Sequence, residues 1–163
     1  MADRLDYDAE NCTIAKTLAI VGEKWTLLII RDLFYGLRRF DDLHRSVGCA
    51  RTVLSDRLAT LVAHDLVARA EYRAPGQRSR LEYRLTEKGV DLFPALQALR
   101  EWGDRWEADP QGPPVIVRHR DCGAALRGEV RCADGHGPLA ARDAQAGPGP
   151  AAKRRPVAAS SAG

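Results

Sequence analysis

The sequence predicts a mainly α-helical fold with a small β-hairpin, in the chain order helix, helix, short helix, turn, helix, hairpin, long helix. Three observations predict it. Apolar residues recur at helical spacing through residues 12–63. Between residues 66 and 85 the pattern switches to the two-residue alternation of a half-buried strand. After Thr86 a broad helical stripe returns.

The elements follow in order. "CTIAKTLAIV" spaces Ile14, Leu18 and Val21 as one helix face, and Gly22 interrupts it. "EKWTLLIIRDLFYG" repeats the pattern through Trp25, Leu28, Ile29 and Leu33, with Gly36 as the stop. "RRFDDLHRSVG" is a short helix with Phe40, Leu43 and Val47 inward. Asp41 and Asp42 sit in its first turn, where carboxylates suit the helix dipole. After a turn of about three residues, the spacing of a helix-turn-helix, "CARTVLSDRLATLVAHDLV" begins another helix that runs into a strand. Leu81, Tyr83 and Leu85 alternate with Arg80, Glu82 and Arg84 in "RLEYRL". With "LVARAEY" before it, this makes a hairpin over residues 66–85. Pro75-Gly76 at its tip suits a type II turn, in which Gly supplies the positive φ. Thr86 caps a long helix from Glu87 to about Trp106, striped by Val90, Leu92, Phe93, Leu96, Leu99, Trp102 and Trp106. Pro94 bends it or ends its first segment.

The order helix, turn, helix, basic hairpin describes a winged helix-turn-helix, followed by a long C-terminal helix to which the family resemblance given below assigns dimerisation. Residues 1–109 form that domain. Residues 110–142 form a linker and a small Cys/His-containing hairpin appendage. Residues 143–163, including "AQAGPGPAAKRRPVAASSAG", form a low-complexity tail expected to be disordered.

Charge is distributed unevenly. The net charge is +3, but residues 38–84 carry 10 basic and 6 acidic side chains between two acidic blocks. A local basic excess is the electrostatic footprint of phosphate binding. A major groove about 12 Å wide admits one helix. That helix must bury one face on its own domain and offer small polar groups and Arg on the other. Here Leu54, Leu58 and Leu61 line the buried side, and Thr52, Ser55, Asp56 and Ala59 lie opposite, with Arg51 at the entry. The expected DNA contacts are Arg38, Arg39, Arg51, Thr52, Ser55, Asp56 and Arg57, with Arg73, Arg78 and Arg80 on the wing. Arg57 lies at the edge of the buried face, so an internal ion pair competes with a DNA contact. Asp56 repels phosphate, and either accepts from a cytosine amino group or orients an Arg.

"GEKWTLLIIRDL", "GLRRFDDL", "TVLSDRLATL" and "YRLTEKG", in this order between Cys12 and Trp106, closely resemble the HxlR family of MarR-like winged-helix bacterial transcriptional regulators. The resemblance implies a homodimeric repressor or activator joined through its first and last helices. Leu18, Leu92, Leu96, Leu99, Trp102, Gly103 and Trp106 are then the interface residues. The stripe agrees: it is wider than one small domain needs, and two tryptophans four residues apart are costly to leave wet. A homodimer on a pseudo-palindromic operator in double-stranded DNA is expected, released by a small-molecule or electrophile inducer. The alternative is a winged-helix module that binds protein without reading DNA sequence.

Cys12 is the redox-sensor candidate. It stands at a helix start with Lys16 one turn on, and both features lower a thiol pKa. The resemblance implies the same, since oxidant- and quinone-sensing members carry their reactive thiol there, although they usually have Cys-Pro where this chain has Cys12-Thr13. Cys49 reads as a small core hydrophobe. His119-x2-Cys122 and Cys132-x3-His136 form a chemically sound tetrahedral zinc set. A metal-free hairpin and a Cys122–Cys132 disulfide compete with it. Longer members resembling this chain have a tail of the form His-x2-Cys-Gly…Cys-x2-Cys, whose last cysteine is Gly135 here. No cofactor is required by the fold.

An enzyme is not expected. The chain has no CxxC, HExxH, GxSxG or phosphate-binding glycine loop, and His44, His64, His119 and His136 are not grouped around a nucleophile. No apolar run approaches the length that spans a bilayer, and "MADRLDYDAENC" lacks a signal-peptide core, so no membrane association and a cytoplasmic location are expected.

Overall fold

The structure is a computed structural model that describes residues 10–72 and 80–153. Its elements are α1 (Thr13–Val21), α2 (Lys24–Phe34), α3 (Phe40–Val47), α4 (Arg51–Ala63), β1 (Val67–Tyr72), β2 (Arg80–Leu85), α5 (Glu87–Val90) and α6 (Phe93–Trp106), followed by the appendage. The fold is a winged helix: mostly helical, with one two-stranded antiparallel sheet pairing Val67 with Leu85 through Tyr72 with Arg80.

The core lies where α2, α3, α4 and the sheet meet. Ile29, Ile30, Leu43, Leu54, Leu58 and Leu61 are fully buried, joined by Val67 and Tyr83. At about 1.5–3 kcal/mol for each fully buried aliphatic side chain, this cluster orients the four elements that carry the candidate site. Gly48 terminates α3 at φ +73, a left-handed conformation that disfavours a Cβ, so the chain turns into α4 within three residues. Cys49, in that turn, is buried in the core.

In α1 only Val21 is buried; Ile14 and Leu18 are exposed, because only the C-terminal end of α1 reaches the core of its own chain. Other expectations are corrected. The expected helix from Glu87 to Trp106 is two helices, α5 and α6. Thr86 caps α5 as expected, its hydroxyl accepting from the Gly89 N–H at 3.1 Å. Pro94 then sits in the first turn of α6, where its missing N–H costs nothing. Gly89 lets α5 pack close against the backbone of Leu66: a Cβ there would lie 2.1 Å from the Leu66 carbonyl oxygen. In β2 the alternation holds for Tyr83 and Leu85 but fails at Leu81, which is exposed, whereas Glu82 is buried. Glu82 is covered because Arg39, just before α3, forms an antiparallel bridge with it, and the Arg38 carbonyl accepts from the Tyr83 N–H at 2.8 Å. The α2 stripe also buries two polar residues that periodicity passes over, Thr26 and Asp32.

The appendage folds back on α6. Gln97, 5% exposed, donates to the Leu126 carbonyl at 3.0 Å, and Glu101 accepts from the Gly128 N–H at 2.7 Å. Arg100 bonds Gln97 and Asp104 on the same helix face. The small hairpin expected here takes the form of two short loops, each closed by backbone hydrogen bonds, the first with an antiparallel bridge between Arg118 and Ala125. One spans Val117 to Leu126, with Leu126 N–H donating to Val117; the other spans Val130 to Leu139, with Leu139 N–H donating to Val130. Of the tail expected to be disordered, residues 143–153 are described and carry only the end of a short 3-10 turn, Ala141–Asp143, and a turn near residue 150. The remainder of that expectation, residues 154–163, lies outside the described residues.

Candidate nucleic-acid interface

Helix α4 buries one face and leaves another open, as a groove-entering helix requires. Leu54, Leu58 and Leu61 are buried, while Thr52, Ser55, Asp56 and Ala59 are exposed on the opposite side and Arg51 is exposed at the helix start. The first-turn N–H groups of α4 have no side-chain cap, since Ala50 precedes Arg51. They stand at the positive end of the helix dipole, beside Arg51, where a phosphate oxygen is favoured.

Arg51 is fixed from two sides. Its Nη2 lies 3.0 Å from Asp41 Oδ1, and its guanidinium stacks 4.8 Å from the Phe40 ring centroid. Both partners come from the first turn of α3, so the helix-turn-helix itself aims this side chain. Asp41, which sequence reasoning assigned only to the helix dipole, is the carboxylate that pairs with Arg51. Its separation of ten positions from Arg51 matched no local spacing rule, but an Asp near the start of one helix and an Arg near the start of the next was the available signal.

Arg57 is half-buried, and its Nε is buried without a hydrogen-bond partner among the described residues. Among the described residues no carboxylate forms an ion pair with Arg57. Arg38 and Arg39 are exposed at the entry to α3, and Arg39 is anchored through its backbone to β2. Arg80 begins β2. Arg73 and Arg78, with the Pro75-Gly76 turn, lie outside the described residues. Asp56 stays exposed, and its carbonyl accepts from the Thr60 hydroxyl at 3.0 Å.

The expected interface residues divide. Leu92 and Leu96 are half-buried and pack on the core of their own chain. Leu18, Leu99, Trp102 and Trp106 are exposed, the tryptophans by 59% and 61%, and Gly103 has open space above its Cα. Between α2 and α6 lies a cavity of about 270 Å³, lined by Leu27, Leu28, Phe34, Phe93 and Leu99, with Arg31 and Arg100 at its edge and Val117 of the appendage beside it.

Cys12 is half-buried at the N-cap of α1, with its carbonyl accepting from Lys16 N–H at 3.0 Å. No disulfide joins Cys12, Cys49, Cys122 and Cys132. His119 meets Cys122 at 3.2 Å in the first turn of the appendage, and Cys132 meets His136 at 3.3 Å in the second. The four do not meet as one cluster: each pair closes its own turn, and the one group of three or more potential ligands among the described residues is Cys132, Asp134 and His136. Among the described residues, no helix is long and apolar enough to cross a membrane.

The HxlR-like helix-turn-helix family model matches residues 20–111. The HTH-type transcriptional regulator Rv3095 of Mycobacterium tuberculosis, whose own role is uncharacterized, is 40% identical over 151 residues, covering 93% of this chain and 94% of that protein. The crystal structure of PA1607, a candidate transcription factor, superposes with a TM-score of 0.75 at 38% identity over 85% of this chain and 95% of its own. Both matches run into the appendage. The redox regulator HypR in its oxidized form matches with a TM-score of 0.53 at 29% identity, over 58% of this chain and 96% of its own. This chain belongs to the HxlR-like helix-turn-helix family and is a transcriptional regulator of that DNA-binding family.

Proposed function

We propose that the protein is a cytoplasmic, homodimeric, sequence-specific repressor that binds a pseudo-palindromic operator with half-sites about one helical turn apart. The observation that carries the reading is the exposed Thr52, Ser55, Asp56 and Ala59 face of α4, with Arg51 held at its entry. Arg51 reads a base edge, Thr52 and Ser55 reach bases or phosphate, and Asp56 meets a cytosine amino group. Arg38, Arg39 and Arg57, with wing residues Arg73, Arg78 and Arg80, neutralise phosphates. The second copy covers Leu18, Leu99, Trp102 and Trp106, which one chain leaves wet, with Gly103 letting the partner helix approach.

Two routes to induction are supported by separate features. A small apolar ligand fits the cavity between α2 and α6, whose size lies near the lower end of small-molecule sites. An oxidant or electrophile reaches Cys12, and the likeness to a redox regulator favours this route. Either shifts the dimer away from the spacing that fits DNA.

Selection of bound fragments from a random duplex library, followed by affinity at several salt concentrations, tests the reading. One palindromic winner whose affinity falls steeply with salt supports it. Uniform weak binding that salt barely changes overturns it in favour of a protein-binding module. A promoter reporter carrying the selected site decides the sign: repression is expected, and activation would reverse that part.

A further inference from the structure

The second turn of the appendage places three donors of different chemistry on alternate residues. The Cys132 thiol, the Asp134 carboxylate and the His136 imidazole have ligand atoms all within 4.8 Å of one another. Cys132 Sγ and His136 Nδ1 are 3.3 Å apart. Sulfur and nitrogen ligands sharing one tetrahedral zinc stand about 3.6 Å apart, from Zn–S near 2.3 Å and Zn–N near 2.0–2.1 Å. The pair is thus already at ligand spacing.

The backbone holds this geometry without an ion. Cys132 N–H donates to the His136 carbonyl at 3.1 Å, and Gly135 N–H donates to the Cys132 carbonyl at 2.9 Å. Gly135 turns the chain at φ +83. The neighbouring Arg131 is occupied elsewhere: it pairs with Glu129 at 2.7 Å and with the Gly135 carbonyl at 3.2 Å.

We infer that Cys132, Asp134 and His136 form a three-ligand site for a borderline-soft divalent ion, zinc above all, with water in the fourth position. Thiolate and imidazole donors select against calcium and magnesium, which take oxygen ligands. Ligation breaks the Cys132 S–H bond, forms a metal–sulfur bond and releases the proton to solvent; no electron moves. The site differs from the set read off the sequence. Asp134 joins it, and His119 and Cys122, which close their own turn, stay outside.

The test uses the untagged full chain, purified without chelator, with zinc measured by elemental analysis and cobalt(II) as the spectroscopic probe. One zinc per chain is expected, and cobalt should show a thiolate charge-transfer band and four-coordinate absorption. Cys132→Ser should abolish both signals. Asp134→Asn, a near-isosteric exposed change, should weaken zinc at least about tenfold. Cys122→Ser and His119→Ala should leave binding unchanged. Absence of stoichiometric metal, an unaltered Asp134→Asn, or equal loss in Cys122→Ser and Cys132→Ser would each overturn the assignment, the last in favour of the four-residue set.

Discussion

Arg51, the first residue of α4, is held by Asp41 from the first turn of α3: Nη2 stands 3.0 Å from Oδ1, and the same guanidinium covers the Phe40 ring. Both charged side chains are well exposed, so the pair contributes little to stability, about 0–1 kcal/mol. Its effect is orientation. Arg51→Ala should cost about 1–3 kcal/mol of operator affinity and relax specificity at one base position. Asp41→Asn should leave the melting temperature nearly unchanged while narrowing the gap between operator and random duplex. Fluorescence anisotropy on both duplexes reads this. Unchanged discrimination in Asp41→Asn would remove its positioning role.

The exposed Arg38 and Arg39 sit at the start of α3. Arg38→Ala should lower affinity for all duplexes alike and reduce the slope of log affinity against log salt by roughly one unit. A loss confined to the operator would instead place Arg38 on a base edge.

Gly89 lies under the Leu66 carbonyl with no room for a methyl group. Gly89→Ala should destabilise the domain by about 1–3 kcal/mol, as overpacking does. Leu58→Ala, at the centre of the core, should cost about 2–5 kcal/mol. Urea denaturation measures both. A neutral Gly89→Ala would mean that the hairpin and α5 separate easily.

Trp102 is 59% exposed on α6. Trp102→Glu should shift the protein toward monomer in analytical ultracentrifugation and lose operator affinity together with dimer. A variant that stays dimeric would move the interface off this face.

Cys12 and Cys49 differ in access: the first is half-buried at a helix start, the second buried in the core. Mass spectrometry after brief alkylation should find Cys12 modified well before Cys49. Cys12→Ser should abolish any oxidant-driven release of DNA, and release that persists in this variant would assign sensing elsewhere.

The winged-helix order was legible because short-range periodicity encodes it. The Leu54, Leu58 and Leu61 spacing, the Gly48 stop and the Tyr83–Leu85 alternation each depend on neighbours within a turn or two of the chain. The split between α5 and α6 was half legible, since Pro94 marks a break without saying which side the helix resumes on. Burial of Glu82 was not, because the Arg39 backbone that covers it arrives from more than forty positions away.

The sequence by itself determined the helices, the hairpin and the polar face of α4, since these follow from residue spacing and side-chain chemistry. Only the tertiary structure decided which partners those side chains meet. It set Asp41 against Arg51, turned Leu92 and Leu96 toward their own core, and brought the Gly128 N–H of the appendage to Glu101 of α6. The physical reason is that backbone propensity acts over a few residues, whereas long-range ion pairs and buried contacts are fixed by how distant segments pack.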